Sequence, residues 1–255
     1  MTTIIVKNAN FSGGRIAHYS PPVAGATLCA FVGDQDDGTW LRNFGSGADL
    51  NVGLGTPTKV DASFRRFDPA NFIVGPAYRT PATTLIAVYR SVAPITKHGM
   101  LLSSERPSAF DSGQRGITLM RESTGETVRA SILGTSAGAP AASAIVTPVA
   151  PAGAAFVIST VIPNAPTGMK SSLKRFSAPE SSLISGSSTN VTFAPASDEA
   201  AYPFRIGANY LPVQTGLGPI DVGFVAVFPF ELTTAEKDAM YHSVQKRFAA
   251  FGVTI

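Results

Sequence analysis

Residues 134–138 read GTSAG, an instance of G-x-S-x-G, and Asp221 and His242 follow in the order serine, acid, histidine. In that arrangement Ser136 would attack a carbonyl, His242 would take the proton and Asp221 would hold the imidazole. The motif needs a strand running into it and a helix leaving it, because that sharp turn exposes the hydroxyl. VRASIL supplies a strand, but APAASAIV is a poor helix, and a loop of small residues accounts for the same five letters. No catalytic set is therefore expected. Asp34, Asp36 and Asp37 in GDQDDGTW offer oxygen ligands and make calcium the one cofactor the sequence suggests. The register departs from a calcium loop: the glycine is displaced, and the twelfth residue from Asp34 is Gly45 rather than Glu. That departure favours a solvated acidic turn over a calcium site. His18, His98 and His242 have no ligand spacing, and the single Cys29 cannot complete a usual zinc set.

Aromatic rings with polar tips suit sugar stacking. Trp40, Tyr78, Tyr89, Tyr202 and Tyr210 are the rings to consider, and most fit a core or a subunit interface. Trp40 and Tyr210 lie beside Gly-, Asp- or Asn-rich loops, so with Asn209 they form the expected ligand-binding set.

Composition limits the alternatives. Only 15% of the 255 residues are charged, and the 20 Lys and Arg are scattered without a basic-aromatic stripe. Nucleic-acid binding needs clustered positive charge to displace counterions, so that class is set aside. A lone cysteine excludes an intrachain disulfide; Cys29, in TLCAFVG, reads as a packed thiol. No apolar run approaches membrane-spanning length, and MTTIIVKNAN has no apolar export region. The expectation is synthesis in a cytoplasm without a signal peptide and without membrane insertion.

The elements that would position such residues are mostly strands. TIIVKN, TLCAFVG, TTLIAVYRS, GMLLSSE, GITLMRE, TVRASILG, AAFVISTVI, NVTFAP, FRIGANY and DVGFVAVFPF are short β-like runs separated by turn residues. GITLMRE-STG-ETVRASI reads as a hairpin with Gly125 in the loop. Several runs are apolar on both faces, as expected of strands covered on each side. Helical signals are scarce, and the Ala-, Gly- and Pro-rich GTSAGAPAASAIVTPVAPAGAA reads as a long loop. Residues 1–25 are expected to form an arm or an edge strand, and residues 26–255 one sandwich domain.

The chain ends on its one clear helix, expected over about 234–250. Thr233 is placed as an N-cap with Glu236 three residues on, a capping box. Met240, Val244, Phe248 and Phe251 share one face, and Gly252 suits the stop. FRIGANY, DVGFVAVFPF and ELTTAEKDAMY then stand in the order in which concanavalin A-like, laminin-G-type jelly rolls close, and TTLIAVYRS, GMLLSS and GITLMRE match the strands before them. The chain resembles that family over roughly residues 50–250, with departures: AAFVISTVI lacks the family's tryptophan, and its tyrosine-x-asparagine-glycine hairpin is not recognisable in SSLKRFSAPESSL. The resemblance implies an all-β, antiparallel concanavalin A-like β-sandwich with one C-terminal α-helix. Similar modules are common in phage and prophage tail proteins. The implied function is a non-enzymatic structural or attachment protein of a virion, assembled as a homo-oligomer with other virion proteins and binding a cell-surface polysaccharide. The alternative is a carbohydrate-active enzyme or free lectin on the same fold. The E-x-D-x-x-E pattern of retaining glucanases is absent, and the acidic pairs in RESTGE and SDEAA sit in turns.

Overall fold

The computed structural model describes residues 19–33, 40–76, 83–107, 114–123, 127–133, 140–146, 153–164, 168–175, 184–188, 202–212 and 214–255. The strands form two sheets. The first runs β14 (Ile184–Ser188), β13 (Gly168–Arg175), β12 (Ala155–Asn164), β6 (Thr83–Ser91), β17 (Ile220–Phe228), β4 (Arg65–Phe67), β3 (Thr58–Lys59), with β1 (Leu28–Ala30) also on β17. The second runs β11 (Pro140–Val146), β10 (Val128–Leu133), β9 (Gln114–Arg121), β7 (His98–Ser103), β15 (Arg205–Ile206), β5 (Phe72–Val74), β2 (Asn51–Leu54). In addition, β8 (Arg106–Pro107) lies on β9 and β16 (Leu217–Gly218) on β7. Among the described residues every strand pairing is antiparallel except β16 with β7. The protein is a concanavalin A-like β-sandwich with a C-terminal helix, α1 (Thr234–Ala249).

The unbroken apolar runs have a simple cause: the first sheet is buried on both faces. Leu85, Ala87 and Tyr89 of β6 and Ile220, Val222, Val225 and Val227 of β17 face the second sheet. Their alternates, Ile86, Val88, Phe224, Ala226 and Phe228, face outward and meet Met240, Val244 and Phe248 of α1. The architecture is thus three layers: second sheet, first sheet, helix. Fully burying one such Phe or Leu side chain is worth about 1.5–3 kcal/mol, which is why the helix docks rather than frays.

The expected capping box is present. The Glu236 amide donates to Thr233 Oγ1 at 3.3 Å, and the Thr233 amide donates to Glu236 Oε2 at 2.8 Å. Met240, Val244 and Phe248 are buried as their spacing requires, and Gly252 adopts φ +73° beyond the last turn. Phe251 falls past the helix and is half-buried, against Arg247. Between Val222 and Phe224 the register with β6 slips by one residue, and Gly223 occupies the bulge. A Cβ there would stand 2.5 Å from Ser63 O and 2.7 Å from the Phe248 ring, so the bare backbone admits the helix side chain.

One expectation is corrected. The Ala- and Pro-rich segment after residue 133 is not all loop, since it contains β11, which pairs with β10 from Val128↔Val146 to Leu133↔Pro140. Small residues contribute little packing signal, but the ladder satisfies their backbone, and Pro140 sits at the strand's first position, where a missing N–H is tolerated. The β9–β10 hairpin pairs as expected, Val128 opposite Arg121; Gly125, TIIVKN and NVTFAP lie outside the described residues. Tyr19 packs edge-on to Phe31 and Phe44 and hydrogen-bonds Ser243 of α1, so the chain just before β1 lies on its own sandwich.

Candidate functional site

The second sheet turns a polar face away from the core. Its register places Ser131 of β10, Thr118 of β9, Ser103 of β7 and Arg205 of β15 side by side in one row across four strands. Directly paired residues share a face, and the neighbours Ala130, Leu119, Leu102 and Ile206 all point into the core. Arg129 and Met120, two residues along their strands, and Met100, three along β7 across its bulge, form a second row on the same face. The three hydroxyl residues are a buried floor, with Ser103 at 0%, Thr118 at 1% and Ser131 at 3% exposure. Ser103 Oγ and Thr118 Oγ1 are 3.3 Å apart, and Ser103 Oγ accepts from the Glu105 amide at 3.0 Å. Ser131 Oγ has no hydrogen-bond partner among the described residues. A buried hydroxyl without a partner costs free energy.

Longer side chains form the rim. After β15 the chain turns at Gly207, where φ is +96° and an added Cβ would stand 2.7 Å from Phe67 Cβ, which leaves no room for a side chain. That turn brings Asn209 and Tyr210 over the sheet. Asn209 is 4% exposed: its Nδ2 donates to Glu105 Oε2 at 2.9 Å, and its Oδ1 accepts from the Leu211 amide at 3.1 Å. The Tyr210 hydroxyl donates to Pro203 O at 2.7 Å, and its ring meets Tyr202 edge-on at 5.0 Å. The Arg205 guanidinium lies 3.5 Å from the Tyr210 ring centroid and 4.6 Å from that of Phe72, and its Nη1 donates to Asn209 O at 2.6 Å. Burial pushes the Tyr210 phenol up, with Arg205 opposing. Burial also pushes the Glu105 carboxyl above its ordinary value, opposed by the Asn209 hydrogen bond and the Arg129 charge. Across the face, Glu122 forms an ion pair with Arg129 and lies 3.2 Å from His98 Nδ1.

The sequence-predicted residues divide. Tyr210 stands half-buried on this rim, whereas Asn209 spends both ends of its amide holding the loop. Trp40 is 6% exposed within the core between the sheets, and the Arg65 guanidinium covers its ring at 4.3 Å. Asp34, Asp36 and Asp37 lie outside the described residues, as does Ser136. Asp221 and His242 are not partners. Asp221 is buried on the outer face of β17 and accepts from Arg66 Nε at 2.8 Å, while His242 is exposed on α1. Among the described residues no three His, Cys, Asp or Glu stand together to hold a metal ion. No helix among them is long and apolar enough to cross a membrane. The residues missed are Arg205, Glu105 and the Ser103–Thr118–Ser131 row. A strand arginine alternating with inward Ile206 was the available signal, but the register joining four strands was not readable.

No family model matches the chain, and no curated protein matches it either. Solved structures do match in fold. Trypanosoma rangeli sialidase in complex with 2,3-difluorosialic acid superposes with a TM-score of 0.57 at 16% identity over 89% of this chain. The binding domain of botulinum neurotoxin DC in complex with SialylT gives 0.53 at 9% identity over 87%. The receptor binding domain of botulinum neurotoxin D gives 0.50 at 10% identity over 87%. The chain spans 34% of the sialidase and 52% and 53% of the two toxin domains, so the likeness is one of fold.

Proposed function

We propose that the chain is a non-enzymatic attachment module of a phage-like particle and that it binds a host-surface glycan on the polar face of its second sheet. One observation carries the reading: Tyr210, Arg205 and Glu105, each half-buried, stand together at the polar face, an aromatic ring beside a guanidinium and a carboxyl group. Aligned hydroxyl, amide and guanidinium groups with a neighbouring aromatic ring match the alternating polar edges and apolar faces of a sugar. The structural neighbours in complex with 2,3-difluorosialic acid and with SialylT are compatible with this on the same scaffold. The particle role rests on the resemblance to tail-protein modules, and with it goes a homo-oligomeric assembly. Val52, Leu54 and Val60 stand 45%, 54% and 40% exposed at the margin where β2 and β3 end both sheets, which supports assembly there.

One feature favours a second reading, a carbohydrate-active enzyme. A carboxyl biased toward its protonated form, as Glu105 is, suits a general acid. A glycan array combined with a reducing-sugar assay separates the two. Binding without turnover, weakened about 10-fold or more by Tyr210→Ala, is the expected result. Turnover that Glu105→Gln abolishes transfers the protein to the second reading, and neither binding nor turnover rejects both.

A further inference from the structure

At His98 two contacts compete for one atom. His98 opens β7, but its backbone amide is turned to the β16 side and donates to Gly216 O at 2.9 Å. The ladder between β7 and β9 ends at Gly99↔Arg121, and the imidazole supplies the next rung. The Ser123 amide donates to His98 Nδ1 at 3.1 Å. The same nitrogen lies 3.2 Å from Glu122 Oε2. Glu122 is buried and held: its other carboxyl oxygen is paired with Arg129, and its amide donates to Thr127 O at 2.7 Å. No single proton state satisfies both contacts. With Nδ1 bare, the ring accepts from Ser123 while its lone pair faces the carboxylate. With Nδ1 protonated, the ring donates to Glu122 and the Ser123 N–H loses its acceptor.

We propose that His98 is a proton-operated latch that ties the end of β9 to the edge of β7. While Nδ1 is bare, Ser123 is held. When the half-buried ring takes up a proton, its new N–H turns to Glu122 and Ser123 is let go. Acid thus exchanges a backbone tie for an ion pair at the same nitrogen. Histidine is the side-chain type whose charge ordinarily changes between pH 5 and 8. The charged groups around the ring come from three places. Glu122 and Arg121 stand at the end of β9, Arg129 is on β10, and Lys97 precedes β7 and lies against Gly218. Arg129 is occupied by the Glu122 carboxyl, and Arg121 Nη1 donates to Glu122 O at 2.7 Å. β16 brings no charged group. The latch does not depend on what the polar face binds.

The test uses the full chain labelled with 15N and followed from pH 8 to pH 5. It reads the ring nitrogen shifts of His98 and the protection of the Ser123 amide against hydrogen exchange, corrected for the intrinsic pH dependence of exchange. At pH 8 Nδ1 is expected to show the shift of an unprotonated acceptor. Ser123 protection is expected to fall about 10-fold or more with the same midpoint as the ring, while Thr118 and Leu119 within β9 keep theirs. His98→Asn offers an amide oxygen as acceptor but takes no proton in this range, so it is expected to abolish the pH response at Ser123. Should that variant not fold, coincidence of the two midpoints in the unaltered chain decides alone. The proposal is overturned by an Nδ1 already protonated at pH 8 or by a ring still unprotonated at pH 5. Ser123 protection that does not follow the ring, or a pH response that survives in His98→Asn, overturns it equally.

Discussion

At the residue scale the decisive contrasts are between groups of one type in different surroundings. Cys29 lies outward from β1 beneath α1, fully buried, and burial drives its thiol far above the ordinary range. It should therefore resist alkylation in the native protein and react fully in denaturant, and rapid native labelling would contradict the packing described. Glu105 binds its proton more tightly in the folded chain than in the unfolded one. The cost of ionising it accordingly appears as pH rises above the ordinary value of 4.5. Glu105→Gln should raise stability near neutrality and lose that advantage as pH falls through about 4.5. A pH-independent difference in urea midpoints would count against a buried, reluctantly ionised carboxyl. At Gly223 a single Cβ would collide with Ser63 O and the Phe248 ring. Gly223→Ala should cost about 1–3 kcal/mol in denaturant unfolding, and a neutral substitution would mean the helix is not seated there.

At the scale of elements, the helix and the strand before it form one unit. Thr233→Ala removes one side of the capping box and should cost about 1 kcal/mol. Phe248→Ala empties a site among Phe31, Phe64 and the β17 bulge and should cost about 3–5 kcal/mol, read from urea midpoints. A smaller loss for Phe248 than for Thr233 would contradict the docking of α1. These elements were also the most legible. The cap, the 3.6-residue apolar spacing and the stop at Gly252 are local properties, and β6 begins and ends where TTLIAVYRS does. β11 was not legible because Ala and Ser carry no period. The short strands β2 to β5 were not legible because two to four residues cannot display alternation, least of all when β2 and β3 are exposed throughout. The candidate site was barely legible for a related reason. Ser103, Thr118, Ser131 and Arg205 are far apart along the chain, and only register makes them neighbours. Trp40 misled because a glycine- and aspartate-rich neighbour suggests a surface loop, whereas the ring turns inward beneath Arg65.

At the scale of the molecule, the layering allots the work. The helix and its apolar stripe consume one side of the first sheet, and the two sheets bury the core between them, leaving the far face of the second sheet as the polar one. Assembly is a separate matter, placed by our proposal at the margin of β2 and β3. Leu54→Glu should convert an oligomer into monomers in a light-scattering measurement without altering the melting transition greatly, and an unchanged mass would move the interface elsewhere. The central claim concerns the polar face, and amide chemical-shift mapping tests it most directly, using the tightest-binding oligosaccharide from the array. Saturable shifts are expected at Ser103, Thr118, Ser131, Arg205 and Tyr210, with none along α1. Shifts gathered on the helix side, with those five residues undisturbed, would contradict it.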